Sequence, residues 1–161
     1  PPALRDDLER RNRNYARGAL HALEHVLVAL SPLVVACEGD EFACQCTRRR
    51  GDAHAERIVL YERRKGGLGL AELLLPLLRT LVAAAEARLR TCSCATGCPG
   101  CILLAGCGEY NDGLDKQGAL EVAQYLLTGK LPGVAATAAE GSGGLSKGAD
   151  DPREQSYGEC T

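Results

Sequence analysis

Apolar positions at helical spacing run through the first part of the chain. Leu4, Leu8, Tyr15, Ala19, Leu23, Val26, Leu27 and Leu30 fall near that spacing with charges between them, which predicts one long helix or two over residues 3–30. Pro32 is expected to stop the run, because it lacks a backbone N–H and its ring clashes with the preceding turn. Leu33-Val34-Val35-Ala36-Cys37, bounded by Glu38-Gly39-Asp40, predicts a short strand. Cys44 to Ala55 is polar and irregular and predicts a loop. Arg57-Ile58-Val59-Leu60-Tyr61 is the clearest strand, and Gly66-Gly67-Leu68-Gly69 marks the turn after it. A helix from about Leu70 to Arg90 follows, with Pro76 placed to kink it. A last helix is expected from Lys116 to Leu127, with Asp115 as its cap and Gly129 and Pro132 to end it. Beyond Gly133 no apolar face recurs, so residues 1–133 are expected to form one domain and residues 134–161 a disordered tail.

Composition fits this pattern. Hydrophobic residues make up 45% of 161 and aromatics only 4%, with no Met or Trp, so the core must be Leu, Val and Ala. That favours an α+β fold in which helices pack on a small sheet. No apolar run is long enough to span a bilayer and no basic-then-apolar leader opens the chain, which predicts a soluble, intracellular protein without a membrane partner. Pro1-Pro2 without an initiator Met leads us to expect a fragment or a processed product. The net charge of −2 is uneven: from Val134 onward two basic and five acidic residues give −3, leaving +1 for the rest. A near-neutral body does not announce nucleic-acid binding, so any such contact must come from local clusters.

The cysteines carry the chemistry. Of nine, five lie in one short segment: Cys92-x-Cys94, Cys98-Pro99-x-Cys101 and Cys107. An odd count of clustered thiols without a leader points to metal rather than to disulfides. Zinc takes four soft donors in a tetrahedron, and short thiolate loops supply them with little chain to order. We assign Cys92, Cys94, Cys98 and Cys101 as ligands of one zinc (Zn2+), with Cys107 as the substitute for one of them. Four thiolates leave no position open to substrate, so the site is structural and not catalytic. An iron–sulfur cluster uses the same donors and stays open as an alternative.

The order of these motifs is similar to that of a known family. His21-Ala-Leu-Glu-His25, Ile58-Val-Leu-Tyr61 through Gly66-Gly-Leu-Gly69, Cys92-Ser-Cys-Ala-Thr-Gly-Cys-Pro-Gly-Cys101, Cys107-Gly-Glu-Tyr-Asn111 and Leu114-Asp-Lys116 occur in this order. Together they resemble the MrfA-like zinc-binding domain at the C-terminus of superfamily-2 DEAD/DEAH-type DNA helicases, over roughly residues 15–128. Cys46 and the Cys107-Gly-Glu-Tyr-Asn form are similar to the eukaryotic branch, which implies a nuclear location. Glu62 and Lys65 depart from the family, which generally has Asp after the Tyr and Pro before the paired glycines. The resemblance implies a protein that unwinds DNA 3′ to 5′ with ATP in DNA repair. The sequence has no Gly-x-x-x-x-Gly-Lys-Ser/Thr phosphate loop, so the helicase motor is expected outside this chain, as its partner.

Other motifs admit a bland and a sharp reading. His21-x-x-Glu24-His25 fits the H-x-x-E-H pattern of zinc hydrolases, but no downstream carboxylate ligand is marked. The bland reading has one histidine packed and hydrogen-bonded and the other facing a groove. Arg63, Arg64 and Lys65 beside Gly66 and Gly67 form a candidate phosphate site for single-stranded DNA, through charge, free amides and a helix start. A tight strand-to-helix turn explains the glycines equally well. Arg48-Arg49-Arg50 is expected to be a solvated loop. A zinc-stabilised protein-interaction module that never touches DNA is the alternative function.

Overall fold

The computed structural model describes residues 2–11, 15–48 and 56–131. Helix α1 (Pro2–Arg11) leads into the long α2 (Tyr15–Val34). Strands β1 (Phe42–Arg48) and β2 (Glu56–Glu62) form a two-stranded antiparallel sheet, in register from Phe42 opposite Glu62 to Arg48 opposite Glu56. Helix α3 (Leu70–Leu74) passes through one 3₁₀ turn (Leu75–Leu77) into α4 (Leu78–Thr91), and α5 (Lys116–Thr128) closes the described chain. The architecture is α+β, as composition suggested.

Helix α2 is the spine, packed against α1, α4, α5 and both strands. Its apolar face buries Ala19, Ala22, Leu23, Val26, Leu27 and Leu30, against Leu81, Val82, Ala85 and Leu89 of α4 and Ala119, Val122 and Ala123 of α5. Small residues let the helices approach closely. A Cβ at Gly118 of α5 would stand 2.7 Å from the Ala19 Cβ and 2.4 Å from the Asp115 carboxylate. That carboxylate caps α5 by accepting from the Gly118 amide at 2.9 Å, and Gly129 ends the helix with a φ of 70°. The break at Pro76 takes the form of the 3₁₀ turn.

Three expectations need correction. Pro32 does not stop α2, which runs on to Val34. The carbonyl that a residue at position 32 would normally bond is that of Val28, and the Ser31 hydroxyl donates to it instead, at 2.8 Å. With that acceptor satisfied, the Val35 amide still reaches the Ser31 carbonyl at 2.9 Å. In consequence Leu33–Cys37 is not a strand: it is the end of α2 and the turn beyond it. Conversely, β1 runs from Phe42 to Arg48, so the loop expected from Cys44 begins as a strand. Only one face of a two-stranded ribbon packs on the core, so its sequence need not look apolar. Phe42 and Cys44 share that face with their partners' neighbours Ile58 and Leu60, while Val59 and Tyr61 are exposed. The expected tail, residues 134–161, lies outside the described residues, as do Arg49 and Arg50. Among the described residues no helix is long and apolar enough to cross a membrane.

Candidate metal centre

The end of α4 delivers Cys92, and the chain leaves the helix there in an extended conformation. Cys94 follows at once. The chain then turns back, so that the amides of Cys101, Ile102 and Leu103 all converge on the Cys98 carbonyl at 2.9–3.2 Å. Gly97 makes the return possible. Its φ is 139°, and a Cβ there would lie 2.6 Å from the side chain of Ile102, a residue with no exposed surface.

This path brings four sulfurs together. Cys92 lies 3.5 Å from Cys94 and 3.6 Å from Cys98, and Cys101 lies 3.4 Å from Cys94 and 3.6 Å from Cys98. A tetrahedral ion with bonds of about 2.3 Å sets its sulfurs about 3.8 Å apart, so one zinc fits with a small outward relaxation. A multinuclear cluster divides its thiolates among two or more irons and spreads the set of four further, so the geometry argues for a single ion. The shared environment also splits the thiols. The Cys94 amide, then the Cys94 and Cys98 thiols, hold Cys92 down to about 7, while burial pushes Cys101 up to about 12. A metal ion would bind all four as thiolates and release their protons.

Lys116, the expected helix start and the last residue of the Leu114-Asp-Lys116 motif, belongs to this centre. Its ammonium donates to the carbonyls of Cys92 and Cys94 at 2.7 and 2.5 Å. Burial disfavours its charge, yet hydrogen bonding to Cys94 and the charges of the thiols keep its pKa above the ordinary lysine value. A cation there offsets the excess negative charge that four thiolates leave on Zn2+. The signal was available in the sequence, as a lysine at the first position of the next helix, but only the fold shows which carbonyls it reaches.

Cys107 does not join the four. It sits with two histidines, 3.4 Å from His21 Nε2. Its loop is clasped by Asn111, whose side-chain amide bonds both the amide (2.9 Å) and the carbonyl (3.1 Å) of Leu104. The expectation that one histidine faces a groove is corrected: both His21 and His25 are buried. His25 Nδ1 donates to the Ile102 carbonyl at 2.8 Å. Burial is the main reason both imidazoles lie below their ordinary pKa; for His21 the neighbouring His25 adds to it. Both are therefore neutral at pH 7.

The basic turn is less open to phosphate than its sequence implies. Gly66 and Gly67 have φ of 86° and 67°, and they let the chain fold back over Glu62. The Glu62 carboxylate accepts from the Ala71 amide at 3.0 Å and from the Leu68 amide. Those bonds hold its pKa below the usual carboxylate range. The amides at the start of α3 are thus already engaged, and Arg64 pairs with Glu41 at 3.0 Å. Arg63 and Lys65 stand exposed.

The model of the MrfA Zn-binding domain family matches residues 23–102. An uncharacterized protein of Methanocaldococcus jannaschii is 31% identical over 112 residues, an alignment that spans 68% of this chain and 100% of that protein. ATP-dependent helicase HRQ1 of Saccharomyces cerevisiae is 26% identical over 123 residues, which are 68% of this chain and 11% of the helicase. The crystal structure of the helicase MrfA bound to DNA is similar at a TM-score of 0.54 and 25% identity, over 69% of this chain and 14% of that one.

Proposed function

The chain belongs to the family of MrfA Zn-binding domains, and from that premise we propose that it is the accessory domain of an ATP-dependent DNA helicase, supporting the motor and contacting DNA. The observation that carries this reading is the paired likeness to two helicases, one of them bound to DNA, in which the similar region is a small part of a much longer chain. Unwinding 3′ to 5′, a role in DNA repair and a nuclear location in a eukaryotic host belong to the same proposal and rest on the family resemblance.

The surface supports a division of labour. Leu73 and Leu75, on the broken α3–α4 segment, are 58% and 72% exposed. Exposed apolar side chains of this kind suit packing against further parts of a longer chain, and the helicases matched are much longer than the region of similarity. Arg63 and Lys65 suit a DNA phosphate. Because the turn's amides are held by Glu62, the contact is electrostatic, through these side chains, and sequence-independent.

The test is salt-dependent binding of single-stranded DNA. Each phosphate neutralised adds about −0.7 to the slope of log affinity against log salt. Replacing Arg63 and Lys65 with Ala should flatten the slope by about 1.4 while zinc content stays constant. No measurable affinity at low salt, even for the wild-type chain, would favour the protein-interaction module, for which the exposed leucines are the supporting observation.

A further inference from the structure

A second set of metal donors lies outside the thiolate centre. His21 and His25 stand one turn apart on α2, 5% and 3% exposed, and Cys107 reaches them from the loop before α5. One ligand atom from each lies within 4.8 Å of the other two. Glu24 is buried beside them, with a carboxylate oxygen 3.7 Å from His21 Nε2, the same nitrogen that faces Cys107.

We propose that His21, His25 and Cys107, with Glu24 as fourth donor, hold a second zinc ion that fastens α2 to the loop following the four-cysteine centre. Two imidazoles, a thiolate and a carboxylate form a borderline-soft set that suits Zn2+. Residues four apart on a helix share a face, so α2 presents both rings to one point. The outer nitrogens are already oriented. A carbonyl can only accept, so His25 carries its proton on Nδ1, toward Ile102, and its lone pair is on Nε2. His21 Nδ1 lies 3.7 Å from a Glu109 carboxylate oxygen, and Glu109 is ion-paired with Arg17. Histidine ligands are characteristically held this way, by a carbonyl or carboxylate on the nitrogen away from the metal.

The arrangement separates this site from both earlier readings of the motif. Cys107 is not a substitute in the four-thiolate set, because it is brought to the histidines instead. The site is also not a hydrolase centre: Glu24 serves as a ligand and both rings are buried, so no substrate carbonyl reaches the ion. Two of the donors, His21 and Cys107, lie outside the residues matched by the family model, 23–102.

The test is metal counting on the full chain, purified under reducing conditions with zinc and then dialysed against metal-free buffer. Elemental analysis should give two zinc ions per chain in the wild type. Cys107→Ser and His21→Ala should each give one, and Cys98→Ser should lose the other. Cobalt substitution reads the sites separately: in Cys107→Ser the d–d bands of the mixed-donor ion should disappear while those of the four-thiolate ion remain, and the charge-transfer band should lose the one of five thiolate bonds that Cys107 supplies. A wild type with one zinc would overturn the proposal and leave Cys107 and His21 as a hydrogen-bonded pair. So would two ions that persist in both variants. The wild-type count decides even where a variant fails to fold, and it is independent of whether the chain binds DNA.

Discussion

Gly97→Ala is a one-methyl perturbation whose effect follows from two features of the knuckle. The first is conformation: a φ of 139° lies where side chains are rarely found. Holding a non-glycine residue in such a region costs roughly 1–3 kcal/mol. The second is contact: the new methyl would stand 2.6 Å from both Cγ1 and Cδ1 of Ile102, which is fully buried and has little room to retreat. Overpacking of this kind adds roughly 1–3 kcal/mol. Because the segment from Cys92 to Cys101 folds around its ion, the combined penalty of about 2–6 kcal/mol should appear as weakened zinc binding. At about 1.4 kcal/mol per factor of ten, affinity falls by about 30-fold to 10⁴-fold. Competition against a chelator of known affinity measures this directly. The Ile102→Ala background divides the two causes, since removing the isoleucine relieves the clash and leaves the backbone cost, so the two substitutions should be less than additive. A Gly97→Ala protein that binds zinc within about threefold of the wild type, less than 1 kcal/mol, would refute the reasoning.

Other outcomes follow from the same geometry. Cys98→Ser should lower zinc affinity by orders of magnitude and speed hydrogen exchange across residues 90–115, while α2 stays protected by its own burial. Lys116→Met removes the ammonium from the Cys92 and Cys94 carbonyls and should weaken zinc binding about 10–100-fold, with the far-ultraviolet helix signal unchanged. Ser31→Ala leaves the Val28 carbonyl without the hydroxyl that replaces the missing Pro32 amide. It should lower unfolding stability by about 1–3 kcal/mol, and an unchanged denaturation midpoint would show that the hydroxyl is dispensable.

Much of this fold is legible in the sequence where a single local rule decides the outcome. Asp115 and Gly129 bound α5 because capping chemistry is local, and Pro76 marks the break between α3 and α4 for the same reason. The spacing of Cys92, Cys94, Cys98 and Cys101 is likewise enough to anticipate a tetrahedral donor set. The errors arise where a second residue answers the first. Ser31 compensates Pro32, so the helix continues past a residue that should end it. Glu62 accepts from the Leu68 and Ala71 amides beyond Gly66-Gly67, a contact that the run of charges and glycines does not announce. Phe42–Arg48 is a strand because β2 pairs with it and α2 packs beneath it, neither of which its own polarity reveals. The grouping of Cys107 with His21 and His25 is a long-range fact, spanning 86 positions in the case of His21. No spacing rule reaches that far.

The zinc centre at the end of α4 is built of four thiolates, and that ligand set can be observed. Zinc-edge X-ray absorption of the Cys107→Ser variant tests it most directly, because without Cys107 the ion proposed at the histidines is not held and one ion is left to observe. A single shell of four sulfurs at about 2.3 Å and no nitrogen shell is expected. A mixed sulfur and nitrogen shell, or fewer than four sulfurs, would contradict it.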